Sequence, residues 1–316
     1  MTTRLSASIV VAAFTLAAVF ALAHDAGEVA PSGAIHFDAA RPAKLEVLRV
    51  KTGHLLVKPV INGKTPGWFI FDTGAGICVI STPFTAALGL TPAGDIASTG
   101  VGGSATSKLH RASSFVLGPV TIDDHVLMES DLSFLEKYLG VPIAGVIGYG
   151  VLSRVVAQVN LEKASIELLD PAHYAPPGVT WTPLDLEGRI PSITARFEDH
   201  EGLFKLDLGA NMAVTFYEPA VRKWSLLEGR TLKAGKTGGV GGFVAVKLGT
   251  LRSIEFGGVR QENVPATFSL EAKGTGAQAD RAGQIGVPLL ERFTLVFDYP
   301  HRRMAFRDRT PSAPNS

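Results

Sequence analysis

The sequence has one cysteine and no excess of charge of either sign. Cys78 is the only thiol among 316 residues, so no internal disulfide can form. Its apolar neighbours from Ile77 to Ile80 favour the role of a small buried hydrophobe over thiol catalysis. The formal net charge is +1 and is spread along the chain, which gives no footprint for nucleic acid or an anionic membrane surface. Stability must therefore come from a packed core.

A long apolar stretch occurs only at the N-terminus. Arg4, the apolar run from Ile9 to Leu22 and the small-residue pattern Ala21-Leu22-Ala23 predict a secretory signal over residues 1–23. An uncleaved single-span anchor is the alternative, although the run is short for crossing a bilayer. No cysteine lies near the cleavage site to carry a lipid. We therefore expect an exported protein, periplasmic or secreted, with no membrane association beyond this signal.

Other catalytic patterns do not assemble. The eight histidines are scattered, none has the helical spacing of a metal site, and we expect them on the surface or in turns. No Gly-x-Ser-x-Gly elbow is present to supply a serine nucleophile. Short apolar runs rich in Val, Ile, Phe and Thr, together with 34 glycines, predict a mainly β protein. The sequence thus implies neither a metal nor a cofactor.

The chain contains an internal repeat. Residues 69–75 (FIFDTGA) align with residues 204–210 (FKLDLGA), an offset of 135 residues between positions 72 and 207. Further landmarks recur in the same order. Gly53 aligns with Gly188, Gly67 with Gly202, residues 100–103 with 239–242, and residues 144–148 with 282–286. We therefore predict a first lobe over 45–170, a proline-rich connector over 171–180, a second lobe over 181–308 and a flexible tail over 309–316.

Two short helices are expected in the first lobe. Thr82 resembles an N-cap with Pro83 at the first helical position, and Gly89 would end that helix. Asp131 resembles the N-cap of a second helix that runs to Leu139, with a glycine just past its end. Pro219 occupies the corresponding place of the first helix in the second copy. The remaining structure is expected to be strands and turns.

The repeated aspartates carry the chemical argument. Each ends an apolar strand at a tight turn, where the following glycine lets backbone amides approach the carboxylate. If the two copies pack about a pseudo-two-fold axis, Asp72 and Asp207 converge and share one proton, because two such close acids cannot both ionise cheaply. The ionised acid can then activate a water while the protonated acid polarises a peptide carbonyl. This chemistry needs no metal.

The sequence around Asp72 resembles the active-site signature of retropepsins and pepsins. The apolar-apolar-glycine element of that family is similar to residues 146–148 (VIG) and, less closely, to 284–286 (QIG). Residues 237–244 (TGGVGGFV) resemble the glycine-rich flap of retropepsins, and residues 98–103 (STGVGG) are the weaker counterpart. The resemblance covers roughly residues 45–308. It implies two closed-barrel-like, all-β lobes in one chain, a monomer with an internal pseudo-dimer.

The resemblance also implies roles for particular residues. An extended polypeptide substrate would bind as an added strand beneath the flaps and be cut by Asp72 and Asp207. The loops would be supported by six neighbours of the acids, namely Thr73, Gly74, Ala75, Leu208, Gly209 and Ala210. Six flap glycines would contact the substrate, namely Gly100, Gly102, Gly103, Gly239, Gly241 and Gly242. Flap glycines suit a hairpin that opens and closes.

Two departures from the family pattern bear on activity. Leu208 stands where the family has Thr or Ser, so the second loop cannot return the hydrogen bond that Thr73 offers across the axis. A catalytically weak or inactive peptide-binding relative is therefore the alternative to a peptidase. Ala75 and Ala210 replace hydroxyl residues that would favour ionised carboxylates, which predicts an optimum from mildly acidic towards neutral pH.

Overall fold

The computed structural model describes residues 12–14, 20–21, 32–239, 241–271 and 273–308. Strands dominate these ranges, and the longest helix, Glu218–Lys223, has 6 residues. The expectation of a mainly β, two-lobed fold is therefore confirmed. No helix in the described ranges is both long and apolar enough to span a membrane. Most of the predicted signal over 1–23, and the predicted tail over 309–316, lie outside the described residues.

The first half of the chain forms fourteen strands and two α-helices within the described ranges. The strands are β1 (Ala12–Phe14), β2 (Phe20–Ala21), β3 (Ile35–Phe37), β4 (Val47–Arg49), β5 (Leu55–Val57), β6 (Val60–Ile61), β7 (Trp68–Phe71), β8 (Val79–Ser81), β9 (Thr91–Gly100), β10 (Gly103–Leu117), β11 (Val120–Ser130), β12 (Ile143–Ile147), β13 (Val156–Asn160) and β14 (Ser165–Leu169). The helices are α1 (Glu136–Leu139) and α2 (Tyr149–Leu152), with 3₁₀ turns at Thr82–Phe84 and Ser133–Leu135.

The second half of the chain repeats this layout. Its strands are β15 (Thr182–Pro183), β16 (Ser192–Phe197), β17 (His200–Asp207), β18 (Val214–Phe216), β19 (Lys233–Gly239), β20 (Gly242–Phe256), β21 (Val259–Ser269), β22 (Gly283–Gly286), β23 (Phe293–Asp298) and β24 (Arg303–Asp308). Its helices are α3 (Glu218–Lys223) and α4 (Val287–Leu290), with 3₁₀ turns at Glu187–Arg189 and Gly274–Ala277.

The second lobe is a closed barrel of six strands in the order β20-β16-β17-β22-β18-β21, with β21 pairing back to β20. The first lobe has the corresponding order β10-β11-β8-β12-β7-β5, and β6 completes the ring by pairing with β10. Where the second lobe has one strand, β16, the first has two short ones. Pro59 lies between β5 and β6 and lacks the N–H that an unbroken strand would need there.

A five-stranded sheet in the order β14-β13-β23-β24-β15 joins the two halves. Strand β13 from the first half pairs antiparallel with β23 from the second, so the lobes share this layer. The predicted connector over 171–180 runs between β14 and β15 and contains no helix or strand. The exact lobe boundaries stay a prediction, because this shared sheet crosses them.

The short helices differ in detail from the expectation. The first is a 3₁₀ turn with Ser81 at the N-cap position and no side-chain capping bond, since Thr82 is already helical and its carbonyl accepts the Thr85 amide. The second begins as a 3₁₀ turn and ends at Gly140 with φ of 77°, as expected from its glycine. The Asp131 carboxylate accepts the Ser133 amide at 2.9 Å. Helices α2 and α4 were missed, because four residues are too few for a helical period.

Both glycine-rich segments form long antiparallel hairpins. The first hairpin is β9–β10 and the second hairpin is β19–β20. Each has an added strand on its free edge, since β1 pairs parallel with β19 and β2 pairs antiparallel with β9. An extended segment of chain can therefore pair with either hairpin edge.

Candidate active site

The two aspartates lie in matching loops. Asp72 follows β7 directly, and Asp207 is the last residue of β17. In each loop the amide of the glycine two residues on donates to the carboxylate, from Gly74 to Asp72 Oδ1 at 2.7 Å and from Gly209 to Asp207 Oδ1 at 2.8 Å. The sequence pattern Asp-x-Gly thus builds the same carboxylate cradle twice.

The two loops pack against each other across the pseudo-two-fold axis. A Cβ atom on Gly74 would lie 2.5 Å from Asp207 Cγ, and one on Gly209 would lie 2.5 Å from Asp72 Cγ. Each glycine is therefore required because the carboxyl group of the opposite loop occupies the space of a side chain. Both acids are almost fully buried, and their carboxyl groups lie close enough to shift each other's pKa.

Burial and proximity change the acidity of both groups. Burial raises the pKa of Asp72 well above its usual range, and the charge of Asp207 raises it further. Burial also raises the pKa of Asp207 to about 6, while the hydrogen bond from Asp72, the Gly209 amide and the Lys205 charge oppose that rise. Asp72 is thus the protonated member of the pair and Asp207 the member that ionises near neutral pH.

Thr73 makes one half of a reciprocal contact between the loops. Its hydroxyl donates to the Leu206 carbonyl at 2.7 Å and accepts the Leu208 amide at 3.0 Å. Leu208 is buried among apolar side chains of the core and has no hydroxyl with which to return the bond. The expected asymmetry of the loop contact is therefore present in the structure.

His54 provides a second contact between the lobes that the sequence did not reveal. Its Nε2 donates to the Gly209 carbonyl at 3.0 Å, and its Nδ1 accepts from Thr52 at 2.7 Å. Burial lowers the pKa of His54, which keeps the ring neutral. The expectation that the histidines lie on the surface or in turns is wrong for His54 and His125, because both are buried. No motif signals such a role for an isolated histidine.

A second glycine stands behind each aspartate loop. A Cβ on Gly148 would lie 2.5 Å from the Ala75 and Ile77 carbonyl oxygens, and one on Gly286 would lie 2.6 Å from the Ala210 oxygen. The carbonyls of Ala75 and Ala210 accept the amides of the first residues of α2 and α4, at 2.9 and 2.8 Å. The small alanines therefore leave both loops fixed by backbone hydrogen bonds.

The tips of the two hairpins meet over the cleft. Gly102 packs directly on the Gly241 carbonyl, and a Cβ there would overlap that oxygen at 1.7 Å. Gly103 and Gly242 have φ of 126° and 116°, which favours glycine at the turns. Gly100 and Gly239 are the last residues of β9 and β19, each opposite a turn glycine. Val240 lies outside the described residues.

The described part of the chain offers no group of three His, Cys, Asp or Glu side chains that could hold a metal ion. Cys78 is buried and free, and burial raises the pKa of its thiol to about 11, so a thiolate is disfavoured there. The expected role of Cys78 as a buried hydrophobe is confirmed.

Comparison with known proteins agrees with the geometry of the first lobe. Residues 57–151 match a family model described as aspartyl protease. The matched region includes the Asp72 loop, the first hairpin and Gly148, and it ends before the second lobe. No curated protein is significantly similar to the chain.

Proposed function

We propose that this chain, whose residues 57–151 match a family model described as aspartyl protease, is an aspartic endopeptidase that hydrolyses extended polypeptides with Asp72 and Asp207. The observation that carries the proposal is the mutual packing of the two loops, in which each carboxyl group rests on the opposite glycine. Two buried acids that face each other across the axis are the arrangement needed to hold and activate one water molecule.

The protonation states of the two acids determine the order of the reaction steps. Asp207, the ionised acid, takes a proton from the water as the oxygen attacks the scissile carbonyl. Asp72, the protonated acid, donates its proton towards the carbonyl oxygen, which gives a neutral tetrahedral diol. The amine then leaves with a proton returned from Asp207, the C–N bond breaks, and the second diol proton goes back to Asp72. No covalent adduct with the enzyme forms.

The hairpins supply the substrate-binding surface in this proposal. Strands β1 and β2 pair with the edges of β19 and β9, which supports binding of an extended peptide as an added strand. The six hairpin glycines leave space for the backbone of that peptide and let the tips separate for its entry. The proposed substrate is therefore an unfolded or extended segment of polypeptide.

We further propose that the protein acts outside the cytoplasm, in the periplasm or as a secreted protein, as a monomer with an internal pseudo-dimer. The apolar N-terminal segment supports export, and one chain supplies both aspartates. The pKa of Asp207, raised to about 6 by burial, supports an optimum from mildly acidic towards neutral pH. A rate that peaks only at strongly acidic pH would contradict this part of the proposal.

The test is cleavage of an unfolded protein mixture between pH 3 and 8 by the mature chain. Asp72→Asn and Asp207→Asn should each abolish cleavage, and a statine-type inhibitor should block the wild type. Asp199→Asn is the matched control, because it makes the same chemical change on an exposed acid of the second lobe. Full activity of either dyad variant would overturn the assignment of that aspartate.

A peptide-binding protein without catalytic activity is the second candidate, and Leu208 is the observation that favours it. Without a hydroxyl at this position, the loops keep the hydrogen bonds that Thr73 and His54 make across the axis but lack the bond that would return from position 208. A wild type that binds extended peptides but cleaves none would support this candidate. Loss of activity in Asp72→Asn only would instead indicate a dimer of first lobes as the active unit.

A further inference from the structure

The two lobes differ sharply in one row of buried side chains beside the dyad. In the first lobe, the registers place four apolar residues side by side on adjacent strands. They are Ile70, Val146, Val79 and Met128. In the second lobe, the same registers place four polar residues in the matching row. They are Lys205, Gln284, Thr215 and Thr267. The internal repeat therefore changes from an apolar to a polar surface at four equivalent positions.

The polar row faces the cleft rather than the barrel interior. Phe204 and Leu206, which flank Lys205 along β17, belong to the main hydrophobic core, so Lys205 lies on the other face of the strand with Asp207. Burial lowers the pKa of Lys205 to about 7, and the charges of Asp280 and Asp207 oppose this. The lysine thus lies two residues from a catalytic acid and close enough to affect its charge.

A cavity opens onto this row beneath the second hairpin. It is a narrow space with the hairpin tips in contact, because its volume of about 350 Å³ includes open solvent, and it is lined by Thr215 and Gln284 from the polar row. Thr237 and Val246 of the second hairpin cover it, and Val101 at the tip of the first hairpin closes it from the opposite lobe. The cavity therefore lies between the lobes, under the meeting hairpin tips, and a substrate side chain beside the scissile bond would enter it when the tips separate.

The cavity wall has more hydrogen-bonding capacity than the protein uses. Thr215 Oγ1 and Gln284 Nε2 of this wall are buried and find no hydrogen-bond partner within the described part of the chain. The same holds for Thr267 Oγ1, which is next to Thr215 in the row. The other end of the Gln284 amide is fixed, because its Oε1 accepts from Tyr217 at 3.0 Å. This directs Nε2 as a donor away from Tyr217. Unpaired buried groups of this kind favour a ligand that pairs with them.

We propose that this cavity is a substrate subsite for a side chain ending in a carboxylate or carboxamide, glutamate or glutamine, and that the first-lobe row, packed within a hydrophobic cluster, offers no equivalent. The inference rests on the proposed function for its substrate. The Gln284 amide and the Thr215 hydroxyl donate to the planar acceptor group, and Lys205, beside Gln284 in the row, adds a positive charge behind them. Glu271 lines the cavity as well, so both the neutral and the charged acceptor belong in the test.

The test compares extended peptides that are identical except for glutamine, glutamate or leucine on either side of the cleavage point. We expect kcat/KM to favour glutamine or glutamate over leucine on one side only, by on the order of tenfold. A ratio of glutamate to glutamine above one would assign the carboxylate, and a ratio below one the carboxamide. Equal or better cleavage with leucine on both sides would overturn the inference and leave the proposed function intact.

The second measurement is the substrate preference of a variant in which residues of the polar row are replaced by their first-lobe counterparts. Lys205→Ile with Gln284→Val copies the first-lobe residues and should reverse the preference towards leucine. Lys223→Ile is the matched control, because it removes an exposed lysine of the same lobe. Calorimetric titration of the wild type with hydroxyethylene peptides that carry glutamine or leucine tests the subsite separately from the peptidase activity. Tighter binding of the glutamine peptide without any cleavage would support the subsite and refute the peptidase.

Discussion

Asp207→Asn should stabilise the fold at neutral pH while abolishing activity. The pKa of Asp207 is about 6 in the folded protein, against an ordinary value of 3.8, because the carboxylate is buried. This difference corresponds to about 3 kcal/mol that the folded state gives up when Asp207 ionises. The variant removes that cost, and the asparagine Oδ1 can still accept the Gly209 amide that Asp207 now accepts.

The pH dependence follows from the direction of the pKa change. The folded state binds the Asp207 proton more tightly than the unfolded state. The contribution of Asp207 to the free energy of unfolding of the wild type therefore rises as pH falls from about 7 to about 4. Asparagine does not titrate, so the advantage of the variant should be largest near pH 7.5 and absent below pH 4. The attraction between Lys205 and ionised Asp207 lowers the pKa of Asp207 and is therefore already contained in the figure of about 3 kcal/mol.

The assay is urea unfolding of both proteins at pH 4 and pH 7.5, with Asp199→Asn as the control on an exposed acid. We expect the stability difference between wild type and Asp199→Asn to be the same at both pH values. A stability difference between wild type and Asp207→Asn that is the same at pH 4 and pH 7.5 would refute the reasoning. It would mean that the carboxyl group is not held in a buried site that opposes its ionisation.

Three further predictions concern the loop residues Thr73 and Leu208 and the buried His125. Thr73→Val should lower the free energy of unfolding by about 1–3 kcal/mol in urea titrations, because the Leu208 amide loses its buried acceptor, whereas Thr73→Ser should not. Leu208→Thr should raise kcat with little change in KM, since a hydroxyl there can return the bond across the axis; an unchanged kcat would contradict this. His125→Phe should move the acid-unfolding midpoint to lower pH, because burial lowers the pKa of His125 to about 3 and the wild type loses that stability as pH falls below 6.5.

The repeat made most of the fold predictable, because both copies obey the same local rules. Strand, turn, acid and glycine recur at matching places, so the paired loops and hairpins follow from the sequence. His54 and the shared sheet were not predictable, since they depend on contacts between distant segments. The polar row was also not predictable. From the sequence Lys205 looks like an ordinary strand residue, and only the strand register shows which face it occupies and that Gln284 lies beside it.

The differences between the lobes bear on the proposed function of the second copy. A lobe that had lost its function would be free to change wherever packing allows. Packing itself requires glycine at 209 and 286 in the second lobe, where a side chain would collide with the opposite acid or the loop backbone, so the informative changes lie elsewhere. Its changes lie on the cleft side, where Lys205 and Gln284 build a polar surface at a cost in buried polar groups. This cost is understandable if a substrate side chain offsets it, which an inactive lobe would not require.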